Sequence, residues 1–202
     1  MYRQYRHLLA NQERHLLANH YLENLKTLVI CALAYGEDDV LAEVERDYLV
    51  QLDEQVLPDG VHYERSMMYH KLILEGLLRV ELAYRSVGKA APTKVASKAR
   101  QMLDAMASIE RGMGKTPFFN DSADGVAKEC GPLACACRDV YGYKPDDTKT
   151  AFPDSGFYKL YDGGAALVFF AGEPGPSYML GHAHCDLCLL YTSPSPRDQR
   201  GS

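Results

Sequence analysis

The sequence predicts a mainly α-helical fold with a β C-terminal part, and three observations predict it. Apolar residues recur at helical spacing through the first two thirds of the chain, and short strand-like runs between Pro, Gly and Asp turns appear only after Tyr143. With 202 residues and 47% apolar content the chain can bury a sizeable core, so disorder is excluded as its main description. Helices first and strands afterwards argue for segregated layers or two domains: residues 1–143 helical, 144–187 the start of a sheet.

Each element has its own signal. From Glu13 to Tyr35, Leu22, Leu25, Leu28, Val29, Ala32 and Leu33 form one stripe, and Gly36 supplies the stop. Asp38 to Val56 carries Val40, Leu41, Val44, Tyr48, Leu49 and Leu52 on its inner face and ends at Leu57-Pro58-Asp59-Gly60. Ser66 can cap a third helix through about Val87, whose leucines surround the axis, so it should pack on more than one side. Pro92 to about Ile109 and Val126 to Val140 complete the set, separated by a loop from Gly114 to Gly125. Phe157 to Tyr161 and Ala165 to Phe170 then read as a hairpin across Asp162-Gly163-Gly164. His7-Leu-Leu-Ala-Asn11 recurs as His15-Leu-Leu-Ala-Asn19, an offset that matches neither a heptad nor a solenoid period.

Charge narrows the classes. Lys and Arg total 22 against 27 Asp and Glu, giving −5 without a block of either sign, where a nucleic-acid binder shows a basic excess. No apolar run is long enough to span a bilayer. The six cysteines are too sparse for a disulfide scaffold, and Cys130, Cys135 and Cys137 read as small buried hydrophobes of one helix.

Four constellations can carry chemistry. In Asn19-His20-Tyr21-Leu22-Glu23, helical geometry puts Asn19, His20 and Glu23 within an arc of roughly 100° away from the apolar stripe. Glu23 can then meet Asn19 or His20, and an amide beside an imidazole can neutralise an anion; the same spacing also suits a solvated helix face. In Asp59-Gly60-Val61-His62-Tyr63-Glu64-Arg65-Ser66-Met67-Met68-Tyr69-His70, Tyr69 and His70 fall in the first turn of a buried helix. A phenol near helix N-terminal amides or cations ionises more readily than its reference of about 10, which would suit a proton-abstracting base. The alternative is a core tyrosine with a satisfied hydroxyl.

Gly181-His182-Ala183-His184-Cys185-Asp186, on a strand, presents His182 and His184 on one face, and two imidazoles with a carboxylate are a plausible part of a zinc site. Phe118-Phe119-Asn120-Asp121-Ser122-Ala123 is a polar loop after apolar anchors, suited to lining a cleft or capping the fifth helix. No phosphate-binding loop or nucleophile elbow appears; Gly112-Met-Gly-Lys-Thr116 lacks the first glycine and the preceding strand.

Together these blocks, with Asp154-Ser155-Gly156-Phe157-Tyr158, resemble the heparinase II/III-like polysaccharide lyases, in order over about residues 13 to 187. The resemblance implies an incomplete α/α toroid followed by the first strands of an antiparallel β-sheet domain. It implies β-elimination at a uronic acid of an anionic polysaccharide, heparin/heparan- or alginate-like: the carboxylate is neutralised, a base removes the C5 proton, and an acid protonates the departing oxygen. On that resemblance Asn19 or His20 neutralises the carboxylate with Glu23 in support, Tyr69 abstracts or returns a proton, His182 is a catalytic histidine and His184 a metal position. A structural zinc, with an incomplete site in this chain, is the implied cofactor. A cleft lined by His20, Arg65, His70 and His182, with Asn120 nearby, would contact substrate and offset the net negative charge.

Met67 stands where the family commonly has proline, and Cys185 where it has a small apolar residue; neither change removes a catalytic group. From about Cys188 to Ser202 the chain resembles a translated sequencing adaptor, so the native protein is expected to continue into further strands and this chain to have little or no activity. Periplasmic or secreted location suits the family. The competing classes are a non-catalytic carbohydrate-binding or polysaccharide-assembly module and a toroid glycoside hydrolase, which would need paired carboxylates about 5 to 10 Å apart.

Overall fold

The computed structural model describes residues 1–162, 165–173 and 175–178, together with the backbone of Tyr191–Thr192. His182, His184, Cys185 and the remainder of the 188–202 tail lie outside the described residues. The architecture is mainly α with a β C-terminal part: among the described residues six helices precede a four-stranded antiparallel sheet.

The first helix, α1 (Tyr2–Ala10), has no counterpart in the apolar periodicity. Tyrosines anchor it: Tyr5 is buried and stacks on Tyr35 at 5.5 Å, and its hydroxyl donates to Glu37 Oε2 at 2.8 Å. The second, α2 (Ala18–Tyr35), begins five residues later than the stripe suggests. Residues 14–16 form a turn, and Leu17 and Ala18 have φ of 57° and 51°, a left-handed conformation from which a helix cannot be propagated backwards. At its other end Gly36 adopts φ 69°, the left-handed stop that its position predicts.

Helix α3 (Asp38–Gln55) opens with Asp38 and Asp39 against its positive end. Helix α4 (Met67–Ser86) is capped by Ser66, whose hydroxyl accepts from the Tyr69 amide at 3.3 Å, and α5 (Thr93–Glu110) lies against it. Helix α6 (Cys130–Tyr141) starts four residues after the expected Val126, because residues 121–129 are spent on the loop that docks on α4. Of its cysteines only Cys137 is buried; Cys130 is half-buried and Cys135 exposed, so the expectation of three buried thiols is corrected. Burial pushes the thiols of Cys130 and Cys137 up to about 11.

Leu25, Leu28, Leu52, Leu74, Leu77 and Leu103 are fully buried where α2 to α5 meet, and each contributes about 1.5–3 kcal/mol by leaving water. A second cluster of Val61, Met67, Ile109, Phe119, Phe152 and Phe157 joins this bundle to the sheet. Strands β1 (Ala151–Phe152), β2 (Phe157–Tyr161), β3 (Ala166–Phe170) and β4 (Tyr191–Thr192) pair in order, with Phe157 opposite Phe170 and Leu160 opposite Leu167. Lys159 of β2 turns inward and donates to the carbonyls of Ser108, Ile109 and Arg111, satisfying groups that the end of α5 leaves without helical partners. Among the described residues no helix is long and apolar enough to cross a membrane.

Candidate active site

The turn between α3 and α4 builds the site. Val56 bridges His62, and Gly60 packs so closely on α5 that a Cβ there would stand 2.5 Å from the Gln101 carbonyl oxygen, at a φ of +93°. Asp59 accepts from the amides of Val61 at 3.1 Å and Ser155 at 2.7 Å, tying this turn to the one between β1 and β2. Asp59 is therefore a brace rather than a free carboxylate.

From this turn Glu64 reaches α2. Its Oε1 accepts the Asn19 amide at 3.1 Å and its Oε2 accepts Asn19 Nδ2 at 3.2 Å, with Glu64 only 2% exposed and Asn19 6%. A carboxylate at a helix N-terminus satisfies an amide that has no helical partner and sits favourably in the helix field. Gln55 supports the same point by donating to the Ala18 carbonyl at 2.9 Å, while its Oε1 meets His62 Nε2 at 3.2 Å. The expected supporter, Glu23, pairs instead with Lys26 one turn along α2. His20 is exposed, its Nδ1 3.8 Å from Glu13 Oε2. The Asn19–Glu64 contact joins two blocks 45 residues apart, and no helical periodicity encodes it.

Tyr69 stands in the first turn of α4, half-buried, and its hydroxyl lies 3.4 Å from Asp121 Oδ2. Burial, then the charges of Asp121 and Glu64, push its phenol above the usual tyrosine value. The expectation of an easily ionised Tyr69 is corrected: among the described residues the charges acting on it are those of the carboxylates Asp121 and Glu64. The loop bearing Asp121 is latched to the cap of α4, because Ser66 Oγ lies 2.7 Å from the Asp121 carbonyl and 2.8 Å from Ser122 Oγ. Beneath it, buried Lys71 pairs with Glu110 at 2.9 Å and holds Thr116.

Asn19 and Tyr69 line one cavity of about 240 Å³ between α2 and α4, shared with Glu23, Lys26, Gly76 and Arg79. A larger cavity of about 650 Å³ beside Glu110, Lys115 and Lys144 contains none of the expected site residues.

Three expected substrate contacts are placed elsewhere. His70 is fully buried: Nδ1 accepts from the His62 amide at 3.2 Å, so Nε2 carries the proton and donates to the Met102 carbonyl at 2.8 Å. Burial lowers it to about 4, so it is a neutral strut. Arg65 turns its buried guanidinium toward the sheet, with Nη2 3.4 Å from the Asp154 carbonyl, and does not line the cavity of Asn19 and Tyr69. Asn120 is buried, at φ 55°, and donates to the Arg65 carbonyl at 3.0 Å, bracing two left-handed residues against each other. The cationic lining expected from His20, Arg65, His70 and His182 is thus not formed by the first three, and His182 lies outside the described residues. Among the described residues no group of three or more His, Cys, Asp or Glu could hold a metal ion.

A model described as Heparinase II/III N-terminus matches residues 43–146, and one described as Heparinase II/III-like, C-terminal matches residues 144–190. The chain belongs to the heparinase II/III family. Among solved structures it is similar to a heparan sulfate lyase HepC mutant from Pedobacter heparinus (TM-score 0.67, 20% identity, 90% of this chain and 32% of that one). It is also similar to the Heparinase III BT4657 gene product with methylated lysines (TM-score 0.69, 19% identity, 92% and 32%) and to a Heparinase III (TM-score 0.68, 13% identity, 89% and 32%). At these identities the likeness establishes the fold, an incomplete α/α toroid followed by the first strands of an antiparallel sheet. The chain spans about a third of the length of these structures. No curated protein matches the sequence.

Proposed function

We propose that this chain is part of a polysaccharide lyase that cleaves a uronic-acid-containing anionic polysaccharide, heparin/heparan- or alginate-like, by β-elimination. The observation that carries the reading is the meeting of Asn19 and Tyr69, from two helices, on one cavity in a chain of this family. The structures it resembles include a heparan sulfate lyase, which supports an acidic glycan as substrate.

The chemistry follows from the groups present. An amide nitrogen has two hydrogens; Glu64 takes one from Asn19, leaving the other for the substrate carboxylate. Neutralising that carboxylate makes the neighbouring C5–H more acidic. His20, exposed next to Asn19 and outside the lining of that cavity, is the alternative that the family resemblance leaves for this role. Tyr69 exchanges a proton with the substrate, and His182 supplies an imidazole from the sheet by family resemblance. A structural zinc on His184 belongs to the same proposal, with none of the described side chains assigned to it. The hydrolase alternative is weaker, because Glu23, Asp59, Glu64 and Asp121 are each already engaged by Lys26, backbone amides, Asn19 and Tyr69.

The test joins this sequence to the complete sheets of the family and incubates the product with heparan sulfate and with alginate. Ultraviolet absorbance from a C4–C5 unsaturated uronate is the expected result; saturated products would indicate a hydrolase, and binding without turnover a carbohydrate-binding module.

A further inference from the structure

We infer that Asp121 is a positioning residue for Tyr69, holding the phenol proton and directing the hydroxyl; this rests on the lyase reading above. Three features of the structure support it. The Tyr69 hydroxyl and Asp121 Oδ2 are 3.4 Å apart, a loose contact of the kind that tightens when a ligand closes over it. The Asp121 main chain is fixed independently of its side chain: Ser66 Oγ donates to its carbonyl, and Ser122, at 2.8 Å from that hydroxyl, donates in turn to the Phe119 carbonyl at 3.0 Å. Phe119 is fully buried against Phe157 at 5.6 Å, which roots the loop in the sheet.

One hydroxyl, Ser66 Oγ, therefore caps the helix that bears Tyr69 and latches the loop that bears Asp121. The two side chains are registered to each other through a single atom. That arrangement is stronger than the needs of a surface loop, whose polar residues water would satisfy equally well.

The charged groups around the phenol come from four elements. Asp121 faces it from the loop and Glu64 from the turn before α4. Glu23 and Lys26 of α2, and Glu75 and Arg79 of α4, share its cavity; Glu23 pairs with Lys26, and Glu75 pairs with both Arg79 and Lys128. An ionised carboxylate accepting from a phenol favours the protonated phenol.

Tyr69 then enters elimination as the proton donor. An imidazole takes the C5 proton, the C–H pair becomes the C4–C5 double bond, and the C4–O pair stays on the departing glycosidic oxygen. The Tyr69 proton converts that oxygen to a hydroxyl, and the imidazolium proton returns to the phenolate through water.

The test replaces Tyr69 in this chain with a fluorinated tyrosine, whose phenol ionises in a range the fold tolerates, and follows its single fluorine resonance against pH. Asp121→Asn is expected to lower the titration midpoint by about one unit or more, with Asp121→Ala giving the same direction if the asparagine variant does not fold. An unchanged midpoint in a folded variant overturns the inference. The titration needs no turnover, so it can fail while the lyase reading stands, and the reverse.

Discussion

Glu64 grips Asn19 at two points, through the main-chain amide and the side-chain nitrogen, and in doing so both starts a helix and orients the residue proposed to meet the substrate carboxylate. Its removal should show in both. Glu64→Ala leaves two buried donors without an acceptor and should cost about 2 kcal/mol or more in urea unfolding. Hydrogen exchange at the Asn19 amide should accelerate beyond what the global loss explains. A variant as stable as the parent, with Asn19 still protected, would show that the contact does not hold the helix start.

His70 makes stability pH-dependent with a definite sign. Its folded value is about 4, below the unfolded value of about 6.5, so on acidification the unfolded chain takes up a proton that the native state refuses. Stability from this group is complete above about pH 6.5 and falls through the window down to about 4, by about 3 kcal/mol in all. Urea midpoints across that range should show the loss, and His70→Gln should flatten it. An equally steep acid loss in His70→Gln would assign the effect to other groups.

Gly60 meets two independent constraints, a left-handed φ and the Gln101 carbonyl 2.5 Å from where a Cβ would sit. Gly60→Ala should therefore cost about 2–4 kcal/mol, far more than an ordinary surface-turn substitution. Thermal unfolding decides it, because Gly88→Ala, with left-handed φ but nothing within 4 Å, isolates the strain alone and should cost less.

Ser66→Ala removes a helix cap and the latch on Asp121 at once. The cap accounts for about 1 kcal/mol, and loss of the latch should add to it. Limited proteolysis within residues 119–125 should then become faster, whereas Ser86→Ala, which loses only a bond to the Ala83 carbonyl near an exposed helix end, should leave that loop resistant.

The elements legible in the sequence are those whose apolar spacing is itself the physical cause of folding. Leu25, Leu28 and Val29 mark α2, and Phe157 and Val168 mark the strands, because each buries where periodicity says it should. What escaped has a different cause. Helix α1 is held by tyrosine rings and Glu37, not by an aliphatic stripe. Glu13 to Leu17 looked helical because Leu16 and Leu17 continue the pattern, yet the left-handed Leu17 and Ala18 break it.

Asn19 and Tyr69, which line one cavity, stand in blocks that the sequence singles out, while Glu64 and Asp121 are visible in it only as unassigned carboxylates. A partner 45 residues away is set by tertiary packing, and Glu64, between Tyr63 and Arg65, carries no spacing that names its partner. His70 misled for the opposite reason: a histidine beside a candidate tyrosine reads as functional until its burial and both its hydrogen bonds are seen.

The central claim is that Asn19 and Tyr69 act together on one sugar ring. Its most direct measurement is kcat for appearance of unsaturated uronate by this sequence joined to complete family sheets, compared with Asn19→Ala and Tyr69→Phe. A fall of about 10² to 10⁴-fold in each, with folding intact, is the predicted result; elimination at the parental rate in either variant would contradict it.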